Sequence, residues 1–179
     1  MVTITYFVHG TTTDNEKDIA TGWLPGELSE LGIEQAKNLV KQVADKKFDI
    51  VFCSDLKRAV DSAQLGFGDK YEIVEDSRLR ECNYGDLNGA VHTFKDNMLY
   101  YVDHAFPNGE SYLDTEKRMR GFCDFLKKEY DGKHVAIVAH QAPQLVLEVI
   151  ANGKTWDEAI SGDWRKAKAW QPGWEYTIQ

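Results

Sequence analysis

Short apolar runs alternate along this chain with longer stretches whose apolar positions recur at helical spacing. Val2–Val8 is rich in β-branched and aromatic residues and stops at His9-Gly10, as a strand ended by a turn residue does. Ser29 has the chemistry of an N-cap, and Leu31, Ala36, Leu39, Val40 and Val43 follow it like one face of a helix. Asp49–Cys53 is almost wholly apolar, the pattern of a strand buried on both faces. Ser54-Asp55 opens a second helix through Ala59, Val60, Ala63 and Leu65, and Tyr71–Val74 reads as a further strand. Between Arg78 and Gly109 the pattern is irregular, with Asn88-Gly89 and Pro107-Asn108-Gly109 marking turns. A long helix is expected over Glu110–Tyr130, with Met119, Phe122, Cys123, Phe125 and Leu126 on its apolar side and Asp131-Gly132 ending it. Val135–Ala139 is another buried strand, followed by a helix over Gln141–Ala151. Strands alternating with helices in this way predict an α/β fold: a mostly parallel sheet flanked by helices as a three-layer sandwich.

Composition narrows the picture. The 179 residues match one domain, with a small cap insertion at about 82–109 and a Trp-rich tail at about 153–179. No apolar run approaches the ~18 residues of a membrane span. With 29 acidic against 21 basic side chains the net charge is −8, and no basic cluster exceeds 164–168, so a nucleic-acid partner is not expected. Cys53, Cys82 and Cys123 are too widely spaced for a zinc pattern and odd in number, which favours small buried hydrophobes. The first residues lack a charged segment ahead of an apolar one, and with those cysteines the expectation is a cytoplasmic protein.

Candidate chemistry gathers where strands end. In open α/β sheets ligands bind outside the carboxyl ends of the strands. His9 follows the first strand, His140 follows Val135–Ala139, Arg58 lies in the first turn of a helix after Cys53, and Glu81 follows a further strand. Each has a plain structural reading on its own: a turn histidine, a helix cap, an exposed arginine, a loop charge. Together they offer a nucleophile, a cationic clamp and a proton donor, which suits phosphoryl transfer. An arginine at the same rim favours an anion over a metal, and no cofactor fingerprint is complete. Gly153-Lys154-Thr155 lacks the first glycine of a P-loop, because position 148 is Glu148.

These residues stand in a recognisable order. His9-Gly10-Thr11-Thr12-Thr13-Asp14-Asn15, Thr21-Gly22, Leu28–Ala36, Ser54–Ala59, Leu79-Arg80-Glu81 with Tyr84 and Gly85, and Pro107–Ser111 together resemble the histidine phosphatase superfamily, the phosphoglycerate-mutase-like proteins, over about residues 3–150. The resemblance implies a phosphoglycerate-mutase-like fold and a covalent mechanism: His9 becomes a phosphohistidine, Glu81 donates a proton to the leaving alkoxide, Arg58 grips the phosphate, and His140 acts as a cation. It further implies a phosphate and substrate cradle from Gly10, Thr12, Asn15, Thr21, Gly22, Tyr84 and Gln141. The substrate would be a small phosphorylated metabolite, or inorganic phosphate as ligand, with no cofactor and no metal; a homodimer is compatible.

Two positions depart from that pattern. The family places an arginine directly before the histidine, where this chain has Val8; Lys57, Arg80 and Arg165 are the candidates to replace that cation. Gln141 adds a side chain where the family has glycine. Of the remaining histidines, His92 lies in the segment expected to roof the pocket, whereas His104 and His134 read as surface or packing residues. Trp156, Trp164, Trp170 and Trp174 read as core, as a lid or as a homodimer edge, and the sequence does not choose. The expected activity is metal-independent phosphomonoester hydrolysis; the alternatives are mutase-type transfer and a phosphate-binding pseudoenzyme weakened by Val8.

Overall fold

The computed structural model describes residues 1–167 and 173–179, so Lys168, Trp170 and Pro172 of the tail lie outside the described residues. In chain order the elements are β1 (Val2–Val8), α1 (Thr13–Glu16), β2 (Ile19–Ala20), α2 (Glu30–Gln42), β3 (Ile50–Cys53), α3 (Lys57–Phe67) and β4 (Ile73–Glu75). They continue with β5 (Ala90–Val91), α4 (Tyr112–Glu129), β6 (His134–Ala139), α5 (Gln141–Ile150), α6 (Trp156–Ser161) and β7 (Trp174–Ile178). The sheet has the order β4-β3-β6-β1-β7. Its β4–β3, β3–β6 and β6–β1 pairings are parallel, and β7 adds antiparallel to β1 with Val2 opposite Ile178. This is the expected α/β sandwich.

Strand alternation sends successive side chains to opposite layers. Ile4, Tyr6 and Val8 of β1, Phe52 of β3 and Ile137 of β6 pack with Phe122 and Leu126 of α4 and Val146 of α5. Phe7, Val51 and Val138 point the other way, against Leu39 of α2 and Ala63 and Phe67 of α3. The central strands are buried on both faces, which explains their unbroken apolar runs. Capping fixes the helix starts. The Ser29 hydroxyl accepts from Gly32 N–H, and Ser111 and Asp114 form a reciprocal capping box, so α4 begins at Tyr112, two residues later than the sequence pattern places it. Leu31 and Leu65, read as members of apolar helix faces, are exposed; the real faces use small residues such as Gly32 and Ala36.

The segment 82–109 folds as short 3₁₀ turns with a core of its own. Tyr84, Phe94, Met98 and Phe106 pack with Tyr112 of α4 and Leu145 of α5. A two-stranded ribbon, β2 with β5, ties it to the chain just after His9. The tail does two jobs. Trp156 packs into the core and Trp174 sits in β7, while Trp164 and Arg165 reach the cleft described below. No helix of the described residues is long and apolar enough to cross a membrane.

Candidate active site

A cleft of about 240 Å³ opens at the carboxyl ends of β1, β3 and β6. His9, Asn15, Thr21, Gly22 and Arg58 form one side of its lining. Glu81, Tyr84, His92 and Gln141 join them, and Trp164 and Arg165 come in from the tail. Thr11, Ile19 and Ala20, which the sequence reading did not single out, complete the lining with Val8.

The turn after β1 orients His9. Its backbone N–H donates to the Ala139 carbonyl (3.0 Å), registering it beside the end of β6. The ring Nδ1–H donates to the Gly10 carbonyl (2.7 Å). A carbonyl can only accept, so the proton sits on Nδ1 and Nε2 keeps its lone pair. Arg58 Nε–H donates to that Nε2 (3.2 Å). Burial, the Arg58 charge and, more weakly, Arg165 push the His9 pKa down to about 3, against the opposing bond to Gly10. His9 is thus a neutral imidazole of fixed tautomer.

His140 lies behind it, fully buried, with ring centroids 5.1 Å apart and the planes at 62°. Its backbone is gripped by Tyr6, whose hydroxyl donates to the His140 carbonyl (2.6 Å) and accepts from its N–H (3.0 Å). Neither ring nitrogen has a hydrogen-bond partner among the described residues. The resemblance implies an imidazolium here. The protein's own groups act the other way: burial first, then Arg58 and His9, hold His140 well below the ordinary histidine range. A bound phosphate dianion is the kind of counter-charge that would reverse this.

Arg58, 2% exposed, spends Nη1 on the Leu24 carbonyl (2.9 Å) and Nη2 on the Gly22 carbonyl (2.8 Å). Gly22 adopts φ +55°, and a Cβ there would overlap the Asn88 side chain at 1.7 Å, so glycine is required where the chain turns beneath the guanidinium. The remaining N–H groups of the guanidinium stay available to an anion.

Glu81 is held by backbone donors from two directions. Oε1 accepts from Cys82 N–H (2.8 Å) and Ala142 N–H (3.0 Å), and Oε2 accepts from Gln141 N–H (3.2 Å). His140 begins α5 without a side-chain cap, so the carboxyl oxygens of Glu81 supply the acceptors that the helix start lacks. Arg118 of α4, missed in the sequence because it lies on a polar helix face, fixes the approach to Glu81. It donates to the carbonyls of Arg78 and Arg80 (both 2.7 Å) and of Glu81 (2.9 Å), while pairing with Glu110 (3.0 Å).

Two expected cradle residues stand elsewhere. The Gly10 N–H is taken by Ser62 Oγ (3.0 Å), and a Cβ on Gly10 would meet the Gly32 carbonyl at 2.3 Å. Gly10 therefore lets α2 close onto the turn that carries His9. Thr12 is fully buried and caps α1, accepting from Asn15 N–H (3.0 Å). Asn15 returns the bond to Thr12 N–H (3.0 Å) yet still lines the cleft, and Thr21 donates to Asp14 (2.8 Å). Among the candidate substitutes for a cation at position 8, Lys57 pairs with Glu27 and Asp61. Arg80 is bidentate to Asp55 (2.8 and 2.6 Å) and stacks on Trp23. Of the three, Arg165 is the one that reaches the cleft. His92 also lines it, as the roof position suggests, while His134 bonds Thr5 and His104 bonds Asp103.

The chain is 35% identical over 149 residues to a 2,3-bisphosphoglycerate-dependent phosphoglycerate mutase of Rhizobium meliloti, covering 74% of this chain and 71% of that protein. Among solved structures it is similar to a mycobacterial glucosyl-3-phosphoglycerate phosphatase (27% identity, TM-score 0.76, covering 89% and 86% of the two chains). It is likewise similar to the alpha-ribazole phosphatase of Shigella flexneri (26% identity, TM-score 0.75, covering 88% and 83%). The model of the histidine phosphatase superfamily, branch 1, matches residues 6–172, which include every residue that lines the cleft, and the chain belongs to that family.

Proposed function

We propose that this protein is a metal-independent phosphatase that hydrolyses a small phosphomonoester through a phosphohistidine on His9. The observation that carries this reading is the fixed Nδ1–H tautomer of a neutral His9, whose Nε2 lone pair faces the guanidinium of Arg58 in the cleft. In the first step Nε2 attacks phosphorus as the bond to the ester oxygen breaks. Glu81 transfers its proton to that oxygen, from Oε2, which holds a single bond of 3.2 Å against two on Oε1. In the second step water attacks the phosphohistidine, its proton passes to Glu81, and the P–N bond breaks to release phosphate and restore His9. Arg58 binds the equatorial oxygens in a planar fork that lysine does not offer. His140, packed behind His9 with a ring unmatched by any described protein partner, is poised to meet phosphoryl charge. The cleft volume of about 240 Å³ favours a small ester.

Hydrolysis of an aryl phosphate in EDTA across pH 4–9 is the direct test. Turnover is expected to survive chelation and to vanish in His9→Ala, while Glu81→Gln loses on the order of 10²–10⁴-fold in rate. Turnover retained in folded His9→Ala would refute the phosphohistidine. A second reading, phosphoryl transfer between hydroxyls, is favoured by the mutase relative in Rhizobium meliloti. It is distinguished by the fate of the phosphoryl group: release as inorganic phosphate supports hydrolysis, and transfer to an added phosphoglycerate with little release supports the mutase.

A further inference from the structure

A phosphate dianion brings two negative charges into a cleft whose nearest histidines the protein holds neutral. It therefore needs cationic partners that do not depend on protonation. Position 8, next to the nucleophile, offers none: Val8 is an aliphatic side chain at the cleft wall, 7% exposed. Arg58 already gives three donors to His9 and to two carbonyls. Among the described residues, the other arginine lining the cleft is Arg165, more than a hundred residues away in sequence, on the 3₁₀ turn Trp164–Ala167 after α6.

Arg165 is held in place by a built seat. Its Nε–H and Nη2–H donate to Oδ2 of Asp163 (3.2 and 3.1 Å), and its backbone N–H donates to Oδ1 (3.0 Å). The Asp163 side chain is 3% exposed, whereas that of Arg165 is 35% exposed: one edge of the guanidinium is anchored on Asp163 while the residue lines the cleft. Asp163 Oδ2 also accepts from Gln141 Nε2, and the Gln141 backbone N–H donates to Glu81. One chain of bonds thus joins the tail arginine to the start of α5, where His140 and Glu81 are fixed. Bonding to Asp163 through Nε and Nη2 leaves Nη1 and the second Nη2–H as donors toward an anion. Its charge is felt at His9 and His92, both of which line the cleft.

We propose that Arg165 is a catalytic residue that clamps the transferring phosphoryl group, supplying from the carboxyl-terminal segment the cation that Val8 does not provide beside His9. The proposal rests on the phosphoryl-transfer reading above and names the second half of its phosphate clamp. It also gives Gln141 and Asp163 a role as positioning residues for that arginine.

The test uses the full chain, with inorganic phosphate as the binding probe and two aryl phosphates of different leaving groups as substrates. Arg165→Ala is expected to lower kcat/KM by on the order of 10²–10³-fold, equally for both substrates. It is also expected to weaken inorganic phosphate binding, read by calorimetry, by tenfold or more. Arg165→Lys should recover part of each loss, since it restores charge without the fork, and it guards against an alanine variant that fails to fold. Lys57→Ala, which removes an exposed cation paired outside the cleft, should change neither readout. Phosphate affinity and turnover within threefold of wild type in Arg165→Lys and folded Arg165→Ala would overturn the proposal. So would a loss of turnover that varies with the leaving group while phosphate binding is untouched. If the wild-type protein binds phosphate but hydrolyses neither ester, the phosphatase reading fails while the binding comparison still decides the role of Arg165. If it does not bind phosphate at all, both fall.

Discussion

Two imidazoles in edge-to-face contact at 5.1 Å, each beside Arg58, are kept neutral by burial and by that positive charge. The consequence is measurable. His9, with its pKa pushed down to about 3, and His140, also held low, should show no titration of their ring resonances between pH 5 and 8 in the ligand-free protein. A midpoint near 6.5 for either ring would contradict the arrangement. The sign of the linked stability follows. The unfolded chain takes up these protons near pH 6.5 and the folded chain does not, so stability is greatest above that pH and falls as pH drops toward 3. At this scale the sequence was legible where a residue type announces its chemistry and its place at a strand end: His9, His140, Arg58 and Glu81 all come together. It was not legible for Gly10 and Thr12. Their motif positions look like cradle residues, but one is needed for close packing on Gly32 and the other for a helix cap. Sequence spacing alone does not distinguish a backbone N–H given to Ser62 from one left for a ligand.

Elements act here through their ends. The start of α5 carries His140 and donates to Glu81, and Glu81 is carried in turn by a segment with no regular structure, Arg80 to Tyr84. Such a segment needs an external clamp to hold a carboxylate steady, and Arg118 of α4 is that clamp, reaching three consecutive-region carbonyls and Glu110. Arg118→Met is expected to destabilise the fold by about 2–4 kcal/mol, because it removes the counter-charge of a partly buried Glu110 carboxylate, which keeps the Asn83 N–H, and the donor to the Arg78 and Arg80 carbonyls. It should also lower kcat more than it raises KM, since in the proposed mechanism Glu81 transfers a proton rather than binding substrate. Urea unfolding and steady-state kinetics check the two halves; an unchanged unfolding midpoint would show that the carbonyls find other donors. Helix positions were readable from periodicity and capping residues, as α4 and α5 show. The function of Arg118 was not, because a charge on the polar face of a helix has the same pattern whether it meets water or another segment's backbone.

Across the whole molecule, the sheet's parallel strands deliver the cleft, and its antiparallel edge secures the wall that closes it. The parallel part was predictable from apolar runs spaced by helices. The edge strand β7 was not, since Trp174–Ile178 is short and follows a stretch that reads as an aromatic tail. Its packing shows that β7 belongs to the core. Tyr176 donates to Glu148 (2.7 Å) and accepts from Gln144 (2.8 Å), tying β7 to α5, and Trp174 packs against both Tyr6 (6.5 Å between ring centroids) and Trp164 (5.7 Å). Tyr6 is the residue that grips the backbone of His140, and Trp164 lines the cleft beside Arg165. Removing 173–179 therefore does more than shorten the chain. It opens the ladder of β1, leaves Glu148 and Gln144 without their tyrosine, and frees one side of the Tyr6 and Trp164 rings. A lid would detach and leave a stable domain with an open cleft. A structural edge would take the fold with it. The deletion is expected to lower the melting temperature by more than 10 °C, since one lost buried network and one lost edge strand each cost several kcal/mol on a domain where about 1 kcal/mol moves Tm by roughly 2–4 °C. A truncated chain that melts with the full-length protein and retains the site would show that the cleft wall stands without β7, and that Arg165 is held by Asp163 alone.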